Sequence, residues 1–504
     1  MYHCRPLGIR LFAVPLQALR KVLRFAFADG GSVGARVFRS GMWVGSSEAV
    51  MAVLGIVRSV ALARLLTPDV FGLMALALIV VRAIETFTRP GVAQALIARQ
   101  SDFDEAAPTA FSLLVARGLV IAACLGIAAP WIGDFYDSQS LGTVLQVLAV
   151  TFVIGGFANM NTIARQKELD FRRLSYLAQV QTIAGTAATI AAAWWLRSVW
   201  ALVIGQLLTA SLNVALSYYF IPGRMRFGFD RGIARELLGY GKFIAASSIV
   251  LYIATELDSA VIGKVLGHSE LGFYTIAFTV AHLATTNLSK IAAKIMMPAY
   301  SLLQSDPVAL RGAYLRTFGF VLLAVLPASA GLIVLAEPLI FAVYGERWLP
   351  AALPMQVLAI FGLLRALAAF AGYMFEGIGK PQLSMYMGVV RLAVIAPIIV
   401  PATLKYGLLG AAVTVTLGML AQWLLGLWYL RKYVGVRFVE LGRAMWRPLW
   451  TTAAMTGIAV GATLAWDNHT LPGLATTVVT AMLAYGLLNL RTFAQLRGGR
   501  GPTA

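Results

Sequence analysis

The chain has 504 residues, of which 59% are hydrophobic and 12% are charged, and its mean hydropathy is +0.78. This composition excludes an ordinary soluble domain, in which roughly a quarter of the residues carry a charge. The formal net charge of +19 follows the membrane topology deduced below, so we expect a membrane as partner and no nucleic acid.

Residues 1–35 form a basic segment ahead of the first long apolar stretch. Arg10, Arg20, Lys21 and Arg24 interrupt its hydrophobic residues, and no small-residue cleavage site precedes a soluble domain, as it would after a signal peptide. The pattern favours an interfacial amphipathic helix on the cytoplasmic side. A start codon placed too far upstream is the alternative.

Apolar stretches of about 20 residues, long enough to cross the hydrocarbon core as a helix, then follow one another along the chain. They predict an all-α polytopic membrane protein with about 14 transmembrane helices. We expect two parallel six-helix lobes, an N-lobe (36–225) and a C-lobe (226–435), then two further helices (436–492) and a cytoplasmic tail (493–504). The predicted spans are 40–64, 71–97, 106–131, 139–163, 171–196, 199–221, 236–264, 271–301, 310–335, 351–377, 382–404, 407–430, 446–466 and 471–490.

Lysine and arginine are concentrated in the loops on one side of these spans. Of the 41 such residues, 28 lie in or beside loops on the side of the N-terminus, and five lie in the opposite loops. By the positive-inside rule, the first side and both termini are cytoplasmic. Four tryptophans near span ends fit an aromatic belt at the membrane surface: Trp194, Trp195, Trp200 and Trp348.

An internal repeat relates the two lobes, because residues 40–74 align without a gap on residues 240–274. Six spans, an even number, separate the copies, so both halves enter the membrane in the same direction. This predicts a parallel repeat that handles its substrate between the lobes. In this register Arg58 lies opposite Asp258, which predicts either a cross-lobe ion pair in one transport state or a partner for each within its own lobe. The identical positions are Gly41, Ser47, Val50, Ser59, Leu66 and Gly72, each matched 200 residues later.

We place eight basic and five acidic residues at membrane depth, within the apolar parts of the predicted spans. One charge at the centre of a bilayer costs at least ~2.5–3.5 kcal/mol, so such residues face a protein or water-filled interior. Arg82, Glu85 and Arg89 share one helical face because they are three and four residues apart. The surplus of positive charge predicts a pathway for an anion. The candidate substrate-binding cations are Arg58, Arg82, Arg89, Arg117, Lys290, Lys294, Arg365 and Arg391.

The acids at this depth have two interpretations. Glu85, Glu256 and Asp258 are candidates for binding a coupling proton or sodium ion, or for balancing the neighbouring positive charge. Glu85 is also spaced to pair with Arg82 or Arg89 along its own helix. The remaining acids at depth are Glu48 and Glu376.

No pattern in the sequence indicates catalysis. Cys4 and Cys124 belong to no metal-binding spacing, and His282 is better explained as a packing residue than as a proton relay. There is no nucleophile–base pair and no glycine-rich phosphate loop. We therefore expect no catalytic residue, no metal, no cofactor and a protein that is not an enzyme.

Six segments, taken in order, resemble a known family, the polysaccharide transporters or Wzx-type flippases of the MOP superfamily (multidrug/oligosaccharidyl-lipid/polysaccharide flippases). The resemblance covers about residues 36–435. One departure is Arg89-Pro90, where many relatives have an acidic residue and an aliphatic one. The segments are LLTPDVFGLMALA (65–77), PGVAQALIARQ (90–100), ARQKELDFRRLS (164–175), GYGKFIAASS (239–248), LGFYTIAFTV (271–280) and MMPAYSLLQSD (296–306).

The resemblance implies a flippase that moves an undecaprenyl-pyrophosphate-linked oligosaccharide across the bacterial inner membrane by alternating access. The product would serve surface polysaccharide synthesis, as exopolysaccharide, capsule or O-antigen, with a polymerase and a chain-length regulator as pathway partners. The alternative is a MATE-like cation or drug antiporter of the same superfamily, which we expect to line its lobes with acids. A polysaccharide polymerase or ligase needs a larger outer loop than the longest one here, around residues 337–350.

Overall fold

The computed structural model of the protein describes residues 33–88, 91–99, 103–168, 170–223, 225–466 and 470–497. These residues are almost entirely helical and include no β-strand. Within them, eight helices are long and apolar enough to cross a membrane. The expectation of an all-α polytopic membrane protein is confirmed.

The first half of the chain departs from the predicted spans at two helix breaks. The second predicted span, 71–97, is two helices, and Gly91 between them has φ 61, a left-handed conformation that glycine adopts without steric cost. The fourth span, 139–163, likewise ends early, before the buried Asn159. The helices are α1 (Val33–Leu65), α2 (Pro68–Thr88), α3 (Val92–Ala98), α4 (Phe103–Phe135), α5 (Gln139–Gly156), α6 (Asn161–Lys167), α7 (Phe171–Leu196) and α8 (Val199–Phe220).

The second half contains one long helical element, α14, that holds the predicted eleventh and twelfth spans. Gly407 interrupts it with φ 59 and ψ −142, so α14 is two helices that meet at this residue. The elements are α9 (Arg231–Val265), α10 (His268–Leu302), α11 (Pro307–Val334), α12 (Ala336–Leu339), a π-helical turn (Ile340–Tyr344), a 3₁₀ turn (Glu346–Ala351), α13 (Ala352–Gly377), α14 (Pro381–Val434), α15 (Phe438–Ala465) and α16 (Leu471–Arg497).

The helices pack in groups along the chain. In the first half α4 packs on α5, and α7 packs on α8 and α1. In the second half α13 packs on α10, α11 and α14, while α9 packs on α14. Helices α15 and α16 pack on each other, and α15 also packs on α11. We keep the names N-lobe and C-lobe for 36–225 and 226–435, whose exact limits stay predictions.

Helix α2 joins the lobes by packing against α9 and α10. A Cβ atom on Gly72 would overlap the carbonyl oxygen of His268, and a Cβ atom on Gly272 would overlap that of Pro68. The contact is reciprocal, because His268 follows Pro68 by the same 200 residues that separate the two glycines. The side chains of Asp69 and Ser269, also 200 residues apart, meet at 3.5 Å. Helices α2 and α10 therefore meet about a pseudo-twofold axis in the register of the repeat.

The residues from Ile340 to Ala351, which we call the latch segment, cover the end of the N-lobe beside this contact. The indole Nε1 of Trp348 donates to the carbonyl oxygen of Ala63 at 2.9 Å. Its ring lies edge-on to Phe71 and Phe273, with centroid distances of 5.1 and 6.1 Å. Trp348 is completely buried, so its assignment to an aromatic belt is wrong. The 3₁₀ turn folds it inward between the lobes.

Three more contacts join the lobes at this end. Arg64 donates from Nε to the carbonyl oxygen of Val343 at 2.8 Å, and from Nη2 to that of Ala342. Lys264 Nζ lies 2.6 Å from Asp137 Oδ2. We call this end of the bundle, formed by residues 63–72, 266–272 and the latch segment, the sealed end. The topology prediction makes it the outer end.

The opposite end of the lobe interface also has contacts among the described residues. Helix α3 packs on α9, and there Arg99 Nε lies 3.8 Å from Glu236 Oε1. The linker before α9 is tied to α4, because the backbone N–H groups of Gly228 and Asp230 donate to side-chain oxygens of that helix at 3.1 Å. This end is therefore bridged by polar groups and by apolar packing, because the buried ring of Phe111 on α4 lies 5.1 Å from that of Phe227 in the linker.

Candidate functional site

Arg82 lies on α2 and faces α9 of the other lobe. Its Nη1 atom is 3.7 Å from Oε1 of Glu256, and the two side chains are 58% and 24% exposed. At a rise of 1.5 Å per residue, Arg82 is roughly 20 Å along α2 from Pro68, well within the ~30 Å thickness of the hydrocarbon core. This pair is the cross-lobe ion pair that the structure describes at membrane depth.

Two aromatic contacts flank this ion pair. Tyr252 lies one turn before Glu256 on α9, and Ile79 lies one turn before Arg82 on α2. The hydroxyl of Tyr252 donates to the carbonyl oxygen of Ile79 at 2.5 Å. Phe87 lies edge-on to the ring of Tyr252 with centroids 5.8 Å apart. Helices α2 and α9 are therefore in direct contact beside the charged pair.

Glu85 does not pair with Arg82, one of the two partners that its spacing suggested, and the other, Arg89, lies outside the described residues. In the described part of the chain, Arg82 pairs with Glu256 across the lobes and not with Glu85 on its own helix. Instead, Arg117 of α4 donates from Nη2 to the backbone carbonyl of Glu85 at 3.2 Å and to Thr88 Oγ1 at 2.9 Å. Arg117 thus contacts the last turn of α2, where carbonyl groups lack helical partners.

Asp258 is buried inside the C-lobe, with 5% of its surface exposed. Its Oδ2 atom accepts a hydrogen bond of 2.6 Å from the hydroxyl of Tyr274. No ion pair joins Asp258 to Arg58 among the described residues, so the cross-lobe pair predicted for them is not formed in this conformation. Asp258 has the own-lobe partner that the alternative interpretation required.

Arg365 and Arg391 lie on α13 and α14, two helices that pack on each other. The guanidinium of Arg391 stands 5.6 Å above the ring of Phe361, and its helix packs on α9, which carries Asp258. His282 stacks on Phe278 at 4.6 Å, which fits its interpretation as a packing residue. The C-lobe therefore gathers two predicted cations and one predicted acid between its own helices.

The remaining predicted residues are dispersed or undescribed. Arg58 is half-buried on α1, and Glu376 lines a cavity of about 180 Å³ between α13 and α14, with Tyr373, Ser384 and Gln422 among the other lining residues. Arg89 and the side chains of Glu48, Lys290 and Lys294 lie outside the described residues.

Tyr252 and Tyr274 are the site residues that the sequence analysis missed. A usable signal exists for Tyr274, because it and Asp258 each lie eight residues from Leu266, in the turn between α9 and α10. Antiparallel helices joined by a short turn bring such positions to the same depth. No comparable signal places Tyr252 against Ile79, since that contact depends on how the lobes pack.

Tyr274→Phe is expected to lower the thermal stability of the purified protein, because the buried carboxylate of Asp258 loses its hydroxyl donor. Leaving a buried polar group unsatisfied costs about 1–3 kcal/mol. Thermal unfolding in detergent measures the loss. Tyr219→Phe is the matched control, since Tyr219 is 78% exposed, and equal midpoints for the two variants would contradict the assignment.

Comparison with known proteins adds an independent observation. A family model described as "Polysaccharide biosynthesis protein" matches residues 61–353. The lipopolysaccharide biosynthesis protein WzxC of Escherichia coli (strain K12) is 25% identical over 391 residues, which cover 77% of this chain and 79% of that protein. The teichuronic acid biosynthesis protein TuaB of Bacillus subtilis (strain 168) is 25% identical over 420 residues, 81% of this chain and 87% of TuaB.

Two solved structures share the fold. The lipid II flippase MurJ in an inward closed conformation has a TM-score of 0.69 at 14% identity, covering 90% of this chain and 99% of MurJ. An inward-facing multidrug resistance MATE family transporter of the MOP superfamily has a TM-score of 0.60 at 16% identity, covering 82% of this chain and 97% of that one. Both likenesses concern the fold alone.

Proposed function

We propose, from the premise that this chain belongs to the polysaccharide biosynthesis protein family, that it is a flippase for lipid-linked oligosaccharides. The relatives WzxC and TuaB, a lipopolysaccharide and a teichuronic acid biosynthesis protein, support a polysaccharide pathway. Its substrate would be an undecaprenyl-pyrophosphate-linked repeat unit in the bacterial inner membrane. A polymerase and a chain-length regulator would act on the product, and this chain would transport without catalysing a reaction.

The observation that carries this proposal is the exposed guanidinium of Arg82 at membrane depth between the lobes. Such a charge requires water or a polar partner there. A guanidinium offers a planar fork of donors that matches two phosphate oxygens. A pyrophosphate carries several such oxygens and more negative charge than one carboxylate, so it can engage Arg82 even beside Glu256.

Other cations would extend the path on both lobes. Arg117 lies near the end of α2, and Arg391 lies within the C-lobe above Phe361. A distributed set of basic residues, engaged in turn, binds an anion weakly enough for release. The remaining candidates stay predictions: Arg58, Arg89, Lys290, Lys294 and Arg365.

Alternating access fits the distribution of contacts between the lobes. The sealed end is closed by Trp348 and the Gly72–His268 contact, so the substrate would enter from the other, cytoplasmic end. Both termini would then be cytoplasmic, as the loop charges predict. Rocking of one lobe against the other would open the sealed end outward.

The positions of the acidic residues give the antiporter alternative less support than they give the flippase. A cation carrier is expected to turn its carboxylates toward one cavity. Here Asp258 is buried against Tyr274, Glu256 faces Arg82, and Glu376 lines a separate cavity. The described acids do not converge, and this favours an anionic substrate.

Complementation of a bacterial strain that lacks its own flippase tests the proposal. We expect Arg82→Ala and Arg117→Ala to reduce surface polysaccharide at least about tenfold, since one charge-assisted hydrogen bond contributes ~1.5–3 kcal/mol. Lysine at either position should restore part of the activity if charge alone matters. Arg173→Ala is the control, because Arg173 lies outside the lobe interface and contacts Asp170 on its own segment. Full activity of both alanine variants would contradict the assignment.

A further inference from the structure

The ion pair between Arg82 and Glu256 is geometrically loose. Its N–O distance of 3.7 Å exceeds the ~2.7–2.9 Å of a charge-assisted hydrogen bond. The carboxylate approaches one terminal nitrogen, while a guanidinium offers five N–H donors. Glu256 therefore engages only one nitrogen of the Arg82 guanidinium and leaves its other N–H donors available.

The neighbouring contacts explain why the pair stays loose. Tyr252 holds α9 against the backbone of α2 through its hydrogen bond to Ile79, one turn from each charge. The helix spacing is therefore set by an aromatic side chain and a main-chain carbonyl rather than by the ion pair. The guanidinium, 58% exposed, remains open to a competing anion.

A phosphate group is a stronger partner for this guanidinium than the carboxylate that now faces it. Both present oxygen acceptors, but a pyrophosphate carries more charge and can bind two donors of the fork at once. Because Arg82 belongs to the N-lobe and Glu256 to the C-lobe, exchanging one acceptor for the other also removes a contact between the lobes.

We propose that Glu256 acts as an internal substitute for phosphate: it binds Arg82 in the unloaded protein, and the pyrophosphate of the substrate displaces it. Glu256 is thus a specificity-determining residue rather than a coupling-ion site. Substrate binding breaks the pair and so removes one of the contacts between the lobes, which links loading to movement of the lobes. This inference rests on the proposed function.

Isothermal titration of the purified full-length protein with inorganic pyrophosphate tests the exchange. Wild type should bind, and Arg82→Ala should bind at least about tenfold more weakly. Glu256→Gln should bind about 1.5- to 5-fold more tightly, the range that corresponds to losing an exposed ion pair. Glu256→Asp, which keeps the charge but shortens the side chain, should also bind more tightly than wild type.

Glu85→Gln is the matched control, because Glu85 lies three residues from Arg82 on the same helix yet does not pair with it. The inference is overturned if removal of any nearby negative charge strengthens pyrophosphate binding equally. Glu85→Gln would then bind pyrophosphate as tightly as Glu256→Gln, and Glu256→Asp would bind it with the affinity of wild type. If wild type and Arg82→Ala bind pyrophosphate equally or not at all, the proposed function itself fails.

Discussion

Gly72→Ala is expected to abolish transport, and Gly272→Ala is expected to have the same effect. Each new methyl group would overlap a carbonyl oxygen of the opposite lobe, on His268 or Pro68. A helix backbone cannot move aside as a flexible side chain does, so α2 and α10 must separate. Separation would disturb every cross-lobe contact of the sealed end. We expect a loss of at least about a hundredfold in surface polysaccharide, equivalent to ~2.7 kcal/mol or more.

Cross-linking measures this effect without relying on transport. Cysteines introduced by Asp69→Cys and Ser269→Cys, in a background that carries Cys4→Ser and Cys124→Ser, replace side chains that meet at 3.5 Å. They should cross-link readily in the otherwise unaltered protein and poorly when Gly72→Ala is added. Gly126→Ala is the control, because a Cβ atom there meets nothing within 4 Å. Unchanged cross-linking and transport in Gly72→Ala would refute the role given to the glycine contact.

Trp348→Ala is expected to destabilise the protein by about 3–5 kcal/mol, as truncation of a large buried aromatic generally does. The indole fills the space between Phe71 and Phe273 and ties the latch segment to Ala63. Its loss should lower the unfolding midpoint in detergent and reduce cross-linking between cysteines at positions 69 and 269.

Trp348→Phe separates the two contributions of the indole. It keeps an aromatic ring in the space but removes the N–H donor to Ala63, so an intermediate effect is expected. Trp195→Ala should be nearly neutral, because Trp195 is 86% exposed. A midpoint for Trp348→Ala equal to that of Trp195→Ala would show that the latch segment does not hold the lobes together.

Hydrophobic patterning was sufficient to predict the fold class and most helix positions. Each predicted span lies on a helix, because about 20 apolar residues in a membrane have few alternatives to helical structure. The exceptions are the second and fourth spans, each of which is broken into two helices. Gly91, with a positive φ, precedes the second helix of the second span, whereas Gly407, also with a positive φ, lies at a break that the separate eleventh and twelfth spans predicted.

The repeat was visible in the sequence, but its physical meaning was not. The alignment placed Gly72 opposite Gly272 as equivalent positions, and equivalence does not imply contact. The structure adds that each glycine meets the backbone of the other lobe. The same limit applies to Arg58 and Asp258, which occupy equivalent positions and are not paired in this conformation.

The sequence predicted which charged residues lie at the candidate site better than it predicted which of them pair. Spacing along one helix suggested Glu85 as a partner of Arg82, yet tertiary packing places Glu256 of the other lobe beside it. Trp348 was assigned to the membrane surface because it lies near a span end, whereas a 3₁₀ turn carries it into the interior. Local periodicity does not contain the inter-helix distances that decide either case.

The reciprocal meeting of α2 and α10 implies that each half carries a self-complementary edge. A surface in which one position contacts the equivalent position of its partner is isologous, the kind that builds twofold dimers. A polypeptide containing six helices of one half, expressed alone, would present that edge to a second identical molecule. The full-length protein can therefore be regarded as a dimer whose subunits have been joined end to end.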